Sequence, residues 1–335
     1  MQDTSGICTI IAAKNAADTI KAAIISALAE TEVSEVVVVD DGSSDQTADV
    51  ARSADDGSGR LTVVKFDQNR GPSAARNHAI SISRAPLIAI LDADDFFFPG
   101  RFAPMLAQDD WDFVADNIAF VDANEVGRAA TLRDRFPPKP VFLDLKGFVD
   151  GNISKPGVRR GEIGFLKPVM RRSFMKKHGL RYREEMRLGE DYELYVRALA
   201  RGGRYKVIHS CGYGAVVRGN SLSGSHKTVD LLRLYEADCA ILAEGGLNAE
   251  DIAAVKRHAA HIKDKYELRH FLDVKREKGM AGALAHVAGR PLAAPGIAAG
   301  IFRDKTERLR NPGGVEVATR GAGGLRYLLP VPTDA

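Results

Sequence analysis

Two aspartates separated by one residue, Asp92 and Asp94, are the residues of this chain best suited to hold a metal ion. In an extended backbone, side chains two residues apart project to the same side. Two carboxylates that face one point suit a hard divalent cation, Mg²⁺ or Mn²⁺, which keeps several waters and takes phosphate oxygens as further ligands. The alternative interpretation is that Asp94 and Asp95 are only turn residues. Their position directly after an apolar segment, 87–91, favours the metal site.

A second acidic pair, Asp40 and Asp41, follows a run of valines and begins the sequence Asp-Asp-Gly-Ser-Ser. One interpretation is a tight turn followed by a helix cap. The other is that one carboxylate accepts hydrogen bonds from a nucleobase N–H or a ribose hydroxyl. Adjacent acids at the edge of a sheet are unfavourable unless they are solvated or bind something.

Two further charged residues lie near the start of predicted helices. Arg76 lies one turn into a helix that begins near Pro72. A guanidinium and a helix N-terminus together favour a diphosphate, and the alternative is an arginine on a solvated face. Asp191 follows Gly189 and Glu190 at the start of another helix. Acids are favoured in the first turn of any helix, but Asp191 is also a candidate general base for a hydroxyl proton.

The elements that must position these residues alternate between two hydrophobic patterns. Short apolar runs predict buried strands, and stripes at helical spacing between them predict helices. This alternation implies a parallel sheet with right-handed crossovers, in which ligands bind beyond the carboxyl ends of the strands. The predicted strands are 7–12, 33–39, 61–66 and 87–91, and the predicted helices run from Asp18 to Glu30, from Ser44 onward and from Ser73 to about Ser83.

The rest of the chain is less regular. The helix that begins near Glu190 is predicted to end at the glycines 202–203. The segment 131–161, rich in Pro, Gly and Arg, is predicted to be a long connecting loop. The polar segment 218–226 is either a mobile lid over phosphates or an ordinary surface linker. From Lys227 onward the chain is predicted to be helical, with a loose tail.

The composition excludes several classes of protein. The 335 residues are 45% hydrophobic and 27% charged, which is typical of a globular protein, and a net charge of +3 gives no reason to expect nucleic-acid binding. Three widely spaced cysteines without zinc-site spacing indicate a reduced, cytosolic protein. The N-terminus lacks the pattern of a signal peptide. The most apolar late segment, 279–302, contains His, Arg and Pro residues, which argues against a membrane span.

The segment 256–278 is basic, with eight Lys or Arg residues against four acids. We expect a solvated helix packed on the catalytic domain, and the alternative is a helix that lies on an anionic membrane surface. His258, His261 and His270 lie in this segment without acids at ligand spacing. We therefore expect no metal site there.

Taken together, these segments resemble family 2 glycosyltransferases of the GT-A fold. The motifs that carry the resemblance span roughly the first two-thirds of the chain: IIAAKN at Ile10, DDGS at Asp40, NxGxxxARN at Asn69, LDADD at Leu91, GED at Gly189 and RxxSxS at Arg218. The implied fold is α/β, a Rossmann-like, mostly parallel sheet flanked by helices, with a helical C-terminal extension. The implied domains are a catalytic domain, 1–225, with a nucleotide-binding half at 1–100 and an acceptor-binding half at 101–225, then a helical region at 226–311 and a loosely structured tail at 312–335.

The resemblance also implies a reaction. An acceptor hydroxyl, deprotonated by Asp191, attacks the anomeric carbon of a nucleotide-diphosphate sugar in line and inverts its configuration. A divalent metal held by Asp94 and Asp92, Mg²⁺ or Mn²⁺, stabilises the leaving diphosphate. The implied donor-binding residues are Ala12, Asn15, Asp40, Asp41, Arg76, Asp92 and Arg218. Many members have Pro and Tyr where this chain has Ala12 and Lys14, so aromatic stacking on the nucleobase is not implied.

The closer resemblance, at 92–101 and 111–120, is to bacterial exopolysaccharide glucosyltransferases of the succinoglycan type. It implies UDP-glucose as donor, a lipid-diphosphate-linked oligosaccharide as acceptor, and a cytoplasmic protein peripheral to the inner membrane. One alternative is a sugar-1-phosphate nucleotidyltransferase, which should have a glycine-rich loop after the first strand, where residues 11–16 contain no glycine. The other alternative is a non-catalytic assembly subunit that binds a sugar nucleotide.

Overall fold

The structure, a computed structural model, describes residues 6–137, 139–154, 161–218, 226–291, 294–310, 321 and 323–330, with only the backbone described for 303–310. These residues form two compact units. The first contains the described residues of Met1–Asp144, Ile163–Ser221 and Ala318–Ala335, and the second contains those of Leu145–Glu162 and Leu222–Val317. The second unit is thus built from two separate segments of the sequence, 145–162 and 222–317.

The first half of the large unit has the predicted alternation of strands and helices. In chain order its elements are β1 Ile7–Ala13, α1 Ile20–Leu28, β2 Val33–Asp40, α2 Thr47–Arg52, β3 Leu61–Lys65, α3 Pro72–Ile82 and β4 Leu87–Ile90. The four strands are parallel, in the order β3-β2-β1-β4. Every residue of β4 and nearly every residue of β1 is buried, and both strands are apolar except for Thr9, as expected for strands covered on both faces.

Helix α1 buries the predicted stripe, but its start differs from the prediction. Its buried residues are Ile20, Ala23, Ile24, Ala27 and Leu28. The N-cap is Thr19 instead of Asp18, and no side chain caps the helix by a hydrogen bond. The Thr19 hydroxyl instead donates to the carbonyl of Ala93 at 2.8 Å. This contact ties the start of α1 to the turn that follows β4.

The second half of the large unit completes a ten-stranded sheet of mixed direction. Strand β8 (Val169–Arg171) is antiparallel to both β4 and β6 (Phe113–Asp122), whereas the long β9 (Tyr205–Val217) is parallel to β6. Strand β5 (Phe96–Phe97) forms the edge, β7 (Val141–Leu143) pairs with β9, and β10 (Arg326–Tyr327) pairs with β6. These elements are β5 Phe96–Phe97, α4 Phe102–Leu106, β6 Phe113–Asp122, α5 Ala129–Leu132, β7 Val141–Leu143, α6 Leu145–Asp150, β8 Val169–Arg171, α7 Arg172–Lys177, α8 Glu190–Ala200, β9 Tyr205–Val217 and β10 Arg326–Tyr327, with α6 belonging to the smaller unit.

Two expectations for this half differ from the structure. The predicted loop at 131–161 contains β7 and α6, and its residues 138 and 155–160 lie outside the described residues. The segment 323–330 was expected in a loose tail, yet it contributes β10, and Tyr327 is fully buried there against Phe136. A two-residue strand has no sequence period of its own, so its pairing partner decides its structure.

The smaller unit is helical, as predicted from Lys227 onward. Its longer helices are α9 Thr228–Glu244, α10 Ala249–Ala288 and α11 Ala294–Arg310. Among the described residues, no helix combines the length and apolarity that a membrane span requires. The expectation that its histidines lack partnering acids is wrong: His258 Nδ1 lies 2.6 Å from the Asp238 carboxylate, and Glu267 lies close to His270.

Candidate active site

The buried guanidinium of Arg76 connects α3 to residues from two distant segments, the turn after β4 and the first turn of α8 (Glu190–Ala200). It lies on α3, and its side chain is 7% exposed, so the interpretation as a solvated surface arginine is wrong. Its nitrogens lie 3.1 Å from Asp92, 2.9 Å from Glu190 and 3.6 Å from Asp191. Burial lowers the pKa of Arg76, but Asp191 and Glu190 outweigh it and raise the pKa well above its ordinary value. The arginine therefore stays charged.

A second buried cation, Lys167, was not found from the sequence. Its ammonium lies 2.8 Å from Asp191 Oδ2 and 3.1 Å from Asp92 Oδ2. Burial lowers the pKa of Lys167, but the two carboxylates outweigh it and raise the pKa above the usual range. The available signal was a lysine between the apolar residues Leu166 and Val169, an environment in which a charge needs a partner.

These contacts define a cluster of five charged residues, which we call the Arg76 cluster: Arg76, Asp92, Lys167, Glu190 and Asp191. Three carboxylates and two cations leave it with one formal negative charge. Buried ion pairs stabilise each other only when the geometry is good and most remaining polar atoms are bonded. The cluster joins the turn after β4, the interior of α3 and the first turn of α8, so it holds predicted site residues from three motifs in one place.

Asp191 occupies the first turn of α8, as the sequence predicted. One of its oxygens, Oδ2, accepts a hydrogen bond from Lys167. The other, Oδ1, is buried and has no hydrogen-bond partner among the described residues, although the Arg76 cation lies 3.6 Å away. Asp191, held on Oδ2 by Lys167 with Oδ1 near Arg76 and Tyr182, is therefore a candidate proton acceptor.

The Asp92–Asp95 segment is a turn, so the premise of an extended backbone is wrong. Strand β4 ends at Ile90, and the amide of Asp95 donates to the carbonyl of Asp92 at 3.1 Å. Asp92 gives both oxygens to the Arg76 cluster. Burial raises the pKa of Asp92, but Lys167 and Arg76 outweigh it and hold the pKa below its usual range. Asp95 accepts hydrogen bonds from the Tyr213 hydroxyl and the Val216 amide, both at 2.8 Å.

Asp94 is the carboxylate of this turn that is left for a ligand. Among the described residues it makes no ion pair within 4 Å. Burial, followed by the neighbouring charge of Asp92, raises the pKa of Asp94, and the Arg218 cation partly opposes this rise. A divalent cation would supply the missing positive charge. The donor set therefore fits a hard metal ion, with Asp94 as the free carboxylate.

The two acids at the end of β2, Asp40 and Asp41, have different environments. Asp41 accepts the backbone amides of Arg70 and Gly71, at 2.6 and 2.9 Å, and so fixes the loop that leads into α3. Asp40 Oδ1 accepts the amide of Ser43 at 2.8 Å, whereas its buried Oδ2 has no partner among the described residues. Neither side chain hydrogen-bonds to the Arg76 cluster within the part of the chain that the structure describes.

The remaining predicted donor-binding residues lie in neighbouring loops of the same unit. Asn15 has a left-handed backbone, with φ of 49°, and its side chain accepts the Ser44 amide at 2.9 Å, which ties the loop after β1 to the loop after β2. Ala12 pairs with Val39 inside the sheet. Arg218 is the last described residue before 219–225, so most of the predicted lid lies outside the described residues.

Lys167→Met is expected to lower kcat about tenfold at neutral pH, a loss comparable to that of one hydrogen bond between charged groups. It is also expected to shift the acidic limb of the pH–kcat profile to higher pH. The sign follows because Lys167 lowers the pKa of Asp92, so its removal lets the carboxylate take up a proton at higher pH. Steady-state nucleotide release measured across pH tests this.

The matched control is Lys206→Met, because Lys206 is also buried but binds a backbone carbonyl, that of Asp109. Lys167→Arg keeps the charge and should restore the position of the acidic limb. An unshifted limb in Lys167→Met, with kcat reduced equally in the Lys206 variant, would show that the lysine contributes only to folding.

Comparison with known proteins gives the family. Residues 8–177 match Glycosyl transferase family 2. The chain is 64% identical over 324 residues to succinoglycan biosynthesis protein ExoU of Rhizobium meliloti (strain 1021), covering 96% of this chain and 95% of that protein. It is 38% identical over 204 residues to the Escherichia coli UDP-Glc:alpha-D-GlcNAc-diphosphoundecaprenol beta-1,3-glucosyltransferase WfaP, covering 58% of this chain and 71% of that protein.

A solved structure has the same fold. S. aureus TarS 1-349 in complex with UDP-GlcNAc superposes with a TM-score of 0.62 at 18% identity, covering 96% of this chain and 95% of that chain. The predicted GT-A fold is thus confirmed. Because the family match spans half of the chain and the R. meliloti relative is 64% identical over nearly all of both proteins, this chain belongs to glycosyl transferase family 2 and is a glycosyltransferase.

Proposed function

We propose that this enzyme transfers glucose from UDP-glucose, with inversion at the anomeric carbon, to a hydroxyl of a lipid-diphosphate-linked oligosaccharide during exopolysaccharide synthesis. The observation that carries the proposal is the position of Asp191, oriented by Lys167 and Arg76 beside the Asp92–Asp95 turn. This position supports Asp191 as the base and the Asp92–Asp95 turn as part of the site for the donor diphosphate. Inversion follows from a single in-line displacement, because one base and no protein nucleophile are then required.

In this mechanism Asp191 Oδ1 accepts the proton of the acceptor hydroxyl while Oδ2 remains bound to Lys167. Lys167 keeps the carboxylate oriented, and Arg76 fixes the turn that bears Asp92. As the acceptor oxygen forms its bond to the anomeric carbon, the bond to the diphosphate breaks and the diphosphate leaves with the electron pair. Preorganised charges that need no reorientation during the reaction are the most effective kind of electrostatic catalyst.

The proposal assigns a divalent metal, Mg²⁺ or Mn²⁺, to Asp94 as direct ligand, with Asp92 as the second carboxylate of the site. The support is the half-buried Asp94 carboxylate, which makes no ion pair among the described residues and whose pKa burial raises. When bound, the metal would neutralise the charge that develops on the leaving diphosphate. Arg218 is assigned to the same diphosphate, because its positive charge lowers the pKa of Asp94 and is therefore close to the proposed metal ligand.

The donor's nucleoside is assigned to the loops after β1 and β2. Asp40 supports this assignment through its buried Oδ2, which has no partner among the described residues and has the capacity to accept a base N–H or a ribose hydroxyl. Asp41 is assigned to the same site together with Asn15 and Ala12. Its oxygens already accept two backbone amides, so it contributes mainly by holding the loop before α3. Aromatic stacking at Lys14 is not part of the proposal, since its ammonium binds the carbonyl of Gly42.

The substrates are assigned from the names of the relatives. The E. coli relative is named for UDP-Glc and a diphosphoundecaprenol-linked sugar, and the R. meliloti relative is named for succinoglycan biosynthesis. A lipid-linked acceptor requires the enzyme to work at a membrane surface. Nucleotide sugars are made in the cytoplasm. We therefore assign the enzyme to the cytoplasmic face of the inner membrane, as a peripheral protein.

A donor screen tests the proposed function. The full chain is incubated with Mg²⁺ or Mn²⁺ and UDP-glucose, UDP-galactose, UDP-GlcNAc or GDP-mannose, with and without polyprenyl-diphosphate-linked oligosaccharides, and release of nucleoside diphosphate is measured. We expect UDP release from UDP-glucose that increases when the lipid-linked acceptor is present. Formation of UDP-glucose from UTP and glucose 1-phosphate would indicate a nucleotidyltransferase, and binding of UDP-glucose without any release would indicate a non-catalytic subunit.

A further inference from the structure

Helix α10 folds back on itself in the smaller unit. Gly279 interrupts it with a φ of 69° and a ψ of −171°, a conformation that favours glycine. The rings of His270 and His286 lie with their centroids 4.6 Å apart. In an uninterrupted helix these residues, separated by sixteen positions, would be about 24 Å apart. The two limbs of α10, 249–278 and 280–288, therefore form a helical hairpin.

Three metal-ligating side chains meet between these limbs. Glu267 and His270 lie three positions apart on the first limb, and His286 projects from the second. One potential ligand atom from each lies within 4.8 Å of the others. Around a zinc ion with bonds of about 2.0–2.1 Å, tetrahedral ligand atoms are about 3.3 Å apart, so small side-chain rotations close the site.

Two details of the histidines favour a ligand. His286 Nε2 is buried and has no hydrogen-bond partner among the described residues. The Tyr266 hydroxyl lies 3.3 Å from His270 Nδ1, which leaves Nε2 of that ring as the ligating atom. Metal-bound histidines typically have their other ring nitrogen hydrogen-bonded in this way, which fixes the ring orientation.

One neighbouring cation competes with a metal. Arg290 lies 3.0 Å from one Glu267 oxygen, and the same nitrogen lies 3.2 Å from the other. The Arg290 side chain is 43% exposed, so it has solvent into which it can swing when a metal takes its place. The Glu267 carboxylate has enough lone pairs to bind both Arg290 and a metal ion, but the positive charge of Arg290 repels the metal ion. Removal of this charge should therefore tighten metal binding.

We propose that Glu267, His270 and His286 form a Zn²⁺ site that ties together the two limbs of the α10 hairpin. Two imidazoles and one carboxylate suit Zn²⁺ and other first-row transition ions, whereas Mg²⁺ prefers oxygen ligands alone. Water completes the four-coordinate site. The metal would add to a small apolar core of Phe271, Ala283 and Ile297, against which Leu268, Val287 and Ile301 pack.

The test is a Zn²⁺ titration of the full chain, stripped of metal and kept in excess Mg²⁺, against a chromogenic chelator. We expect one tightly bound Zn²⁺ per chain. His270→Gln and His286→Gln should each weaken it by at least about 10–100-fold, and Arg290→Gln should strengthen it. Zn²⁺ should raise the Tm of the wild-type chain and leave that of both histidine variants unchanged.

Two control variants separate this site from other histidines and from the catalytic metal. His261→Gln lies on the same limb of α10 and should bind Zn²⁺ like the wild type, and so should Asp94→Ala. Visible spectra of bound Co²⁺ give a readout independent of stability: the bands should change in His286→Gln, while circular dichroism verifies that this variant is folded. Absence of tight binding, or Zn²⁺ affinity unchanged in both His270→Gln and His286→Gln, would overturn the proposal.

Discussion

Asp191→Asn is expected to lower kcat by about 10²–10⁴-fold while the apparent affinity for the donor changes little. The amide has nearly the same shape and still accepts a hydrogen bond from Lys167 through its carbonyl oxygen, so the cluster geometry survives. What is lost is the capacity to take a proton. The measurement is kcat and KM for the donor from UDP release, with donor affinity verified by direct titration.

Two comparisons make this result specific to Asp191. Asp112→Asn changes a carboxylate of the same unit that accepts the backbone amide of Arg204, and kcat should stay near the wild-type value. Glu190→Gln tests the neighbouring acid, which binds Arg76. If Glu190→Gln lost 10²-fold or more in kcat and Asp191→Asn did not, the base would be Glu190. Collapse of donor binding in Asp191→Asn with kcat retained would show that Asp191 binds the donor.

The fold of the predicted nucleotide-binding half, 1–100, could be predicted because each of its helices and strands has a pattern in the local sequence. β-Branched residues occur in all four of the first strands, and β1, β2 and β4 are buried along most of their length, so burial on both faces accounts for the pattern of these three. Pro72 at the first position of α3 and Gly189 before α8 mark helix starts by backbone preference. The positions of Arg76 and Asp191 near the carboxyl ends of the strands follow from these helix starts and from the sheet topology.

The rest of the site depends on long-range contacts that the sequence does not encode locally. Lys167 belongs to a short connection, and its role arises only when α8 and the turn after β4 meet it. The Asp92–Asp95 turn was not predicted because β4 ends at Ile90, and side chains two residues apart share a face only while the backbone stays extended. Its conformation is fixed by Thr19 and Tyr213, which bind it from other elements.

The largest expected change in activity follows from loss of the metal site at Asp94. Excess EDTA is expected to abolish UDP release, and added Mg²⁺ or Mn²⁺ should restore it. Asp94→Ala should show the same loss at saturating metal, because it removes the carboxylate that we assign as direct ligand. The physical reason is charge: the Arg76 cluster carries one formal negative charge, and Asp94 adds another next to it. A diphosphate dianion or trianion would be repelled there without a divalent cation.

Asp49→Ala on α2 is the control, since this carboxylate is 80% exposed and binds only the neighbouring Arg52 among the described residues. Restoration by Mg²⁺ alone separates this site from the proposed Zn²⁺ site of the smaller unit, whose ligands do not suit Mg²⁺. Full UDP release in excess EDTA would leave Arg76 and Arg218 as the charges that bind the diphosphate. In that case Asp94→Ala would remove a repulsive charge, so donor affinity would rise instead of falling, and the sign of this one change decides between the two mechanisms.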